Sequence, residues 1–327
     1  MIPISAVLIA QDEESKIQAA LASVAFCDET LVVDSGSVDR TQDVAEAAGA
    51  RVIVHSPWPG FVAQRNFAVD AARHDWILAL DADERVTPAL REEIEAERLR
   101  GFPCAAYRIP RVALYLGRWI RATDWYPDPQ VRLFDRRHGR WEGSLVHESV
   151  RVRGRLCRLR SDMEHHPYTD VSSHMHKIDR YTTLWARQAF DAGRRTGQVE
   201  MAFSALWAFA RNYVLKRGVV LGRAGLTVSA MNSYYTYTKL AKLDELARQH
   251  EPRRLDCSTS TPRPRGAGGK TRCCSRHAAA PYWVIRSPSP AATAGPSRAG
   301  CGRRGSKRIR SPSGEISRPW RLWPSPA

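Results

Sequence analysis

Residues 76–84 read WILALDADE: five apolar positions run directly into three acids with one alanine among them. An uninterrupted apolar run of this length, closed by polar residues, suits a strand covered on both faces, as parallel sheets require. The same pattern repeats outward. Residues 4–9 (ISAVLI), 30–33 (TLVV) and 51–54 (RVIV) read as further buried strands. Between them, Ile17, Leu21 and Val24 fall at helical spacing within 13–24. Asp39 stands as the N-cap of a helix that Gly49 ends, and 61–72 forms a third helical stretch. Thr87 and Pro88 open a fourth helix through residue 99, proline being suited to a first turn. This β-α-β-α succession predicts an α/β fold on a parallel sheet, with ligands beyond the carboxyl ends of its strands.

Both acidic clusters of this region stand at such strand ends. In Asp81-Ala82-Asp83, two carboxylates one residue apart suit Mg²⁺ or Mn²⁺, hard cations that take oxygen ligands and bridge to phosphates. An Asp-x-Asp pair alone is more readily a solvated turn; its place after an apolar strand, beside a second acidic strand end, reverses that preference in favour of the ligand reading. That second cluster is Asp34-Ser35-Gly36-Ser37-Val38-Asp39. It reads either as a strand-to-helix turn needing Gly36 for an unusual backbone angle, or as a pocket whose carboxylate accepts hydrogen bonds from a base or ribose. No GxGxxG follows the first strand and no GxxxxGK[ST] is present, which disfavours dehydrogenase-type dinucleotide binding and removes the P-loop cradle.

Charge narrows the class further. The 327 residues carry 50 Lys and Arg against 34 Asp and Glu, but residues 251–327 hold 16 of the bases and 3 of the acids. The first 250 residues are thus nearly neutral, at +3, which excludes a uniformly basic nucleic-acid binder. Residues 251–327, rich in Arg, Pro, Ser and Gly without periodicity, read as a disordered basic tail or as the product of a shifted reading frame. No apolar run reaches the roughly 18 residues of a spanning helix. The N-terminal MIPISAVLIAQDEES lacks the basic stretch of an export signal, so a cytoplasmic location is expected. Cys27, Cys104 and Cys157 show no CxxC or Cys/His spacing, which fits a reducing compartment without structural zinc.

Beyond residue 106 the pattern changes. YRIPRVALYLG, VRLFDRR and LVHESVRV look like strands joined by Trp- and Pro-rich loops, and 171–249 is helical in character. The segments SAVLIAQDEE, LVVDSGSVDRT, PWPGFVAQRNFA and WILALDADERVTP together resemble glycosyltransferase family 2, and their combined order is far more specific than any one of them. DWYPDPQVRLFDRR, GSLVHESV and the helix ending in YYTYTKL are similar to the lipopolysaccharide core glucosyltransferases within it.

The resemblance implies a GT-A-like nucleotide-diphospho-sugar transferase fold with a mostly parallel central sheet, followed by a helical C-terminal subdomain. The expected division is a catalytic domain over 1–155, a helical acceptor or membrane-proximal region over 156–250, and the tail. Family likeness also implies a metal-dependent, inverting transfer of a hexose, glucose by preference, from a UDP-sugar to an inner-core heptose. Ala10, Asp12, Asp34, Ser35, Gly36, Gln64, Arg65, Asn66, Asp81 and Ala82 would then bind the nucleotide-sugar, and Asp83, Asp81 and His147 the Mg²⁺ or Mn²⁺. At the first turn Ala10-Gln11-Asp12 departs from the family's usual Thr-Lys-Asn.

An inverting displacement needs a carboxylate base. Asp124, Asp128, Glu142 and Glu148 are the candidates; Glu148 is preferred, because Val146-His147-Glu148 closes the donor domain, and Asp128 is second. Trp125 and Tyr126 are candidate acceptor-site residues, since aromatic faces pack on sugar rings, although core packing is the commoner fate of a tryptophan. Neighbouring Trp119 and Trp141 share that ambiguity. His165 and His166 read as loop histidines. Alternating Trp, Phe and Leu with Arg and Lys across 171–249 reads as a subdomain packed on the sheet or as a surface resting on anionic lipid at the inner face of the plasma membrane. The other readings are a transferase acting on a different polysaccharide or lipid-linked glycan, and a non-enzymatic nucleotide- or nucleic-acid-binding protein.

Overall fold

The computed structural model describes residues 1–144 and 147–250, with only the backbone at Ser144 and His147. The expectations for 251–327 lie outside these residues. Along the first hundred, β1 (Ile4–Ala10), α1 (Glu14–Ser23), β2 (Glu29–Asp34), α2 (Thr41–Ala47), β3 (Arg51–Val54), α3 (Phe61–Ala71) and β4 (Trp76–Asp81) follow the predicted succession. β5 (Glu84–Val86) comes next, a strand the sequence pattern did not announce, and α4 (Pro88–Leu99) starts on Thr87, whose hydroxyl accepts the Leu90 N–H at 3.1 Å. β6 (Ala106–Tyr115), β7 (Arg118–Ile120), β8 (Asp128–Asp135), β9 (Gly139–Ser144), β10 (His147–Val152), β11 (Leu156–Arg158) and β12 (Met163–His165) precede the long helices α5 (Val171–Asp191), α6 (Gln198–Ala210) and α7 (Gly222–Gln249).

β3, β2, β1 and β4 lie side by side in parallel, so the WILAL strand sits between β1 and the antiparallel β8. β6 continues the sheet beyond β8, with β11 and β12 parallel to it and β5 antiparallel to β12. β9 and β10 form a separate antiparallel ribbon.

Alternation along each strand divides the core in two. Leu8, Val32, Leu78 and Leu80 pack against Ile17, Leu21, Leu90 and Ile94 of α1 and α4 on one face. On the other, Val7, Leu31, Val33 and Ile77 meet Ala68 and Val69 of α3 and Trp141 and Val150 of the ribbon. Both faces of these strands are thus apolar, which is why they read as unbroken apolar runs.

Three local expectations change. The sheet runs past residue 155, because β11 and β12 pair with β6. Asp39 stands one residue before the N-cap position of α2, held by Arg40; its carboxylate accepts from the Thr41 N–H at 2.9 Å and ties in the Glu14 N–H at 3.1 Å. Cys104 and Cys157 form a disulfide across 53 residues of sequence; the pairing of β11 with β6 brings them together, and no local spacing announces it.

Candidate active site

A cavity of about 670 Å³ opens where the carboxyl ends of β1 and β4 meet the start of α5. Its wall includes Ala10, Gln11 and Glu13 after β1, Ser35 after β2, Phe61 and Arg65 one turn apart on α3, and Asp81, Ala82 and Asp83 after β4. Ile9 of β1, Trp58 before α3, Glu148 of β10, His165 of β12 and His176, Lys177, Arg180 and Tyr181 of α5 complete it.

The two aspartates at the end of β4 have different duties. Asp81 is pinned from both sides: Oδ1 accepts from Arg65 at 2.6 Å and Oδ2 from Arg132 at 2.6 Å. Burial works to raise its pKa, but the Arg132 and Arg65 charges win and hold it far below the usual carboxylate range. The same Arg132 reaches Glu84 at 2.6 Å, Glu84 accepts from Arg111 at 2.7 Å, and Arg111 closes on Asp128. At the other end Arg65 stands 3.9 Å from Glu148. Acids and bases therefore alternate from Glu148 to Asp128 through the protein, and each buried charge has an opposite neighbour, the condition on which buried charge is tolerated. The Arg65 guanidinium lies over the Trp141 ring, 4.4 Å from its centroid.

Asp83 stands outside this chain. Its carboxylate is 3.5 Å from His165 Nε2, and its carbonyl accepts the His166 N–H at 2.8 Å. Burial opposes its ionisation, and the neighbouring His165 overcomes that, drawing the pKa down to about 2. Lys177 and Arg180 project from α5 into the same space without an ion pair within 4 Å among the described residues. Burial lowers the Lys177 pKa, and the charges of Asp83 and Asp81 pull against that.

Asp34 is a different case. It is fully buried, and its carboxylate accepts from the Gly36 N–H at 2.9 Å, the Ser37 N–H at 2.8 Å, the Gln42 amide at 2.8 Å and the Ser37 hydroxyl. It builds the turn on which Gly36, at φ +91°, depends, and only Ser35 of the cluster reaches the cavity. Asp12, at φ +54°, stitches the first turn to the second through the Val38 and Ser37 contacts at 2.9 Å each. Gln64 is buried between Ser35 Oγ at 3.1 Å and His55 Nδ1 at 2.6 Å. Asn66 pairs its amide with both backbone groups of Trp141, at 3.0 and 3.1 Å, and so docks the ribbon on α3.

Other sequence candidates fall away from the cavity. Asp128 is buried against Arg111 and Gln130, the latter at 2.7 Å. Trp125 packs among Tyr115, Tyr168 and His174 and donates to Asn232 at 3.1 Å, while the Tyr126 hydroxyl sits on Asp162 at 3.2 Å. Those contacts place the two aromatics against α7 and Asp162, away from the cavity wall. Asp124 is held by Arg211 and Asn212, and Glu142 lies exposed beside Arg151. The side chain of His147 is outside those described. Conversely, His165 is a buried strand residue facing Asp83, not a loop histidine. Lys177, Arg180 and Tyr181 were legible only as three polar residues at helical i, i+3, i+4 spacing.

Among the described residues no three His, Cys, Asp or Glu side chains gather closely enough to hold a metal ion alone. One carboxylate and one imidazole do converge, and Mg²⁺ or Mn²⁺ commonly completes its shell with substrate phosphates and water.

A strand-end cavity that presents one carboxylate, a second beside an arginine, and two cations has the chemistry to suit anionic, phosphate-bearing ligands. Residues 5–149 match the family model described as Glycosyl transferase family 2. The chain thus carries a glycosyltransferase family 2 domain over these residues, and it is an enzyme of the glycosyltransferase class. It is similar to an uncharacterized glycosyltransferase of Rickettsia bellii (strain RML369-C), 29% identical over 264 residues that cover 76% of this chain and 88% of that protein. It is also similar to the lipopolysaccharide core biosynthesis glycosyltransferase LpsC of Rhizobium meliloti (strain 1021), 27% identical over 248 residues, 74% and 92% of the two chains. Among solved structures, glucosyl-3-phosphoglycerate synthase from Mycobacterium tuberculosis, in complex with Mn²⁺, UDP and glucosyl-3-phosphoglycerate, overlaps 36% of this chain and 45% of that one, with 27% identity and a TM-score of 0.30.

Proposed function

We propose that the enzyme transfers a hexose from a UDP-sugar to a lipopolysaccharide inner-core acceptor by a single, inverting displacement, with a divalent cation at Asp83. The observation that carries this is the convergence of Asp83, Glu148, Lys177 and Arg180 on one cavity at the carboxyl edge of the sheet. The similarity to LpsC supports the acceptor class.

In this reading the β1 and β2 turns, through Ala10, Gln11 and Ser35, flank the nucleoside, while Asp12, Asp34, Gly36 and Gln64 keep those turns in shape. Lys177 and Arg180 face the diphosphate and offset its charge. Asp83 and His165 supply oxygen and nitrogen ligands that suit Mn²⁺ or Mg²⁺, and the cation would neutralise charge on the leaving diphosphate. Asp81, neutralised by two arginines, orients the turn that carries Asp83. Glu148 accepts the proton of the acceptor hydroxyl as its oxygen attacks the anomeric carbon and the bond to UDP breaks. Arg65 and the β9–β10 ribbon position that carboxylate at the cavity wall.

The test is turnover of UDP-glucose with a heptose-terminated core acceptor, with and without Mn²⁺. Glu148→Gln is expected to lower kcat by about 10² to 10⁴ while UDP affinity stays nearly unchanged, as for a lost general base. Near-wild-type turnover by Glu148→Gln would move the base elsewhere; a preference for GDP- over UDP-sugars would overturn the donor.

A further inference from the structure

Opposite in character to the cavity is the outer side of α6 and the segments that follow it. Val199, Phe203 and Leu206 recur at helical spacing on α6 and are 84%, 69% and 71% exposed. A π-helical turn, Arg211–Leu215, then presents Val214 and Leu215, and the short helix Gly218–Leu221 presents Val219 and Val220, all more than half exposed. Soluble surfaces seldom carry so continuous an apolar ridge without a partner.

The ridge is rigidly mounted. Met201 and Ala208 of α6 turn inward, and Ala205 O accepts the Ser233 hydroxyl of α7 at 2.8 Å. Beneath the π-helical turn, Asn212 is fully buried and bonds Asp124 at 2.9 Å, Ala208 O at 2.9 Å and Asn232 at 2.9 Å. At the far end Gly218 and Gly225 touch so closely that a Cβ on Gly225 would lie 1.8 Å from Gly218 O. The exposed side chains are thus held outward by a built framework.

Charge identifies the occupant. Between residues 198 and 226 the one acid is Glu200, bridged to Arg194 at 3.0 Å, against Arg211, Lys216, Arg217 and Arg223. Lys216, Arg217 and Arg223 are exposed and flank the apolar tip, and Trp207, 48% exposed, sits at its margin. Apolar residues bordered by cations and an interfacial tryptophan match the boundary of an anionic bilayer. Among the described residues no helix is long and apolar enough to cross one.

We infer that the α6 hairpin, residues 198–220, is a monotopic anchor that inserts Phe203, Leu206, Val214, Leu215, Val219 and Val220 into the headgroup boundary of an anionic membrane. The inference concerns a surface apart from the cavity and does not depend on the sugar transferred. The basic residues 251–327 also attract anionic lipid, so the test must separate insertion from electrostatics.

The 327-residue chain is floated with vesicles of phosphatidylcholine alone or mixed with phosphatidylglycerol, at low salt and at about 0.5 M salt, where the screening length drops to a few ångströms. Wild type is expected to bind the anionic vesicles and to retain part of that binding at high salt. The triple variant Phe203→Ser/Leu206→Ser/Leu215→Ser, altered only at exposed positions, is expected to lose roughly tenfold or more of the high-salt binding. Its circular dichroism and melting point should match wild type. Lys216→Ala/Arg217→Ala should weaken binding at low salt more than at high salt. Equal high-salt binding by wild type and the triple variant would overturn the proposal. So would a wild-type dimer that the triple variant converts to monomer without any vesicle binding, which would assign the ridge to a second copy of the chain.

Discussion

The carboxyl ends of β2 and β4 look alike in sequence, each an apolar run closing on a pair of acids, yet the structure uses them in opposite ways. Asp34 spends its hydrogen bonds on its own turn and on Gln42 of α2. At β4, Asp81 is neutralised by Arg65 and Arg132, and that fixed turn aims Asp83 into the cavity. In this molecule the strand-end acid that faces the cavity is the one whose turn is already held by other groups.

Removing the support at β4 has the largest expected effect on stability. Arg132→Ala would leave Asp81 and Glu84 buried with fewer opposite charges, a loss of about 3–5 kcal/mol. For a domain of this size that is about 10 °C in Tm, measurable by calorimetry. An unchanged Tm would mean the charge chain is not what fixes the turn. Asp34→Ala comes next. It strips partners from two backbone N–H groups and the Gln42 amide, which should cost about 2–3 kcal/mol in urea unfolding. Among the described residues Asp83→Ala loses a single side-chain partner, His165 at 3.5 Å, and should cost clearly less in the same assay; equal losses at the two positions would erase the distinction between them.

A smaller effect is expected away from both turns, at His174. It is buried against Tyr115, Trp125 and Tyr168, with its Nδ1 3.0 Å from the Tyr115 hydroxyl. Burial lowers its pKa to about 4, with Lys177 adding to the shift. The folded state therefore resists a proton that the unfolded chain takes up near pH 6.5. This contribution is complete above about pH 6.5 and is lost as pH falls toward 4. Melting scans over that range should show Tm falling by several degrees more in wild type than in His174→Phe; parallel curves would contradict the assignment.

The first four strands and helices were legible because each is specified locally, by an apolar run, a cap or a proline at a first turn. Asp83, Arg65 and Glu148 were singled out in the sequence and do line the cavity, although their neighbours there were not. His165, Lys177 and Arg180 reach the cavity only through the pairing of β12 with β6 and the docking of α5, contacts between segments far apart in sequence. Trp125 and Asp128, also singled out, lie in aromatic packing and a buried ion pair instead of on the cavity wall: residue types suited to a sugar site are equally suited to those places, and only tertiary partners tell these apart. The Cys104–Cys157 disulfide is a further case of two strands making a proximity that no spacing encodes.

The most direct test of the contrast between the two strand ends is calorimetric titration of UDP into wild type and Asp83→Asn, with and without Mn²⁺. Wild type should bind UDP at least about tenfold more tightly with Mn²⁺ than without, and Asp83→Asn should bind it equally in both conditions. A Mn²⁺-dependent gain that survives intact in Asp83→Asn would show that the carboxylate at the end of β4 does not hold the cation.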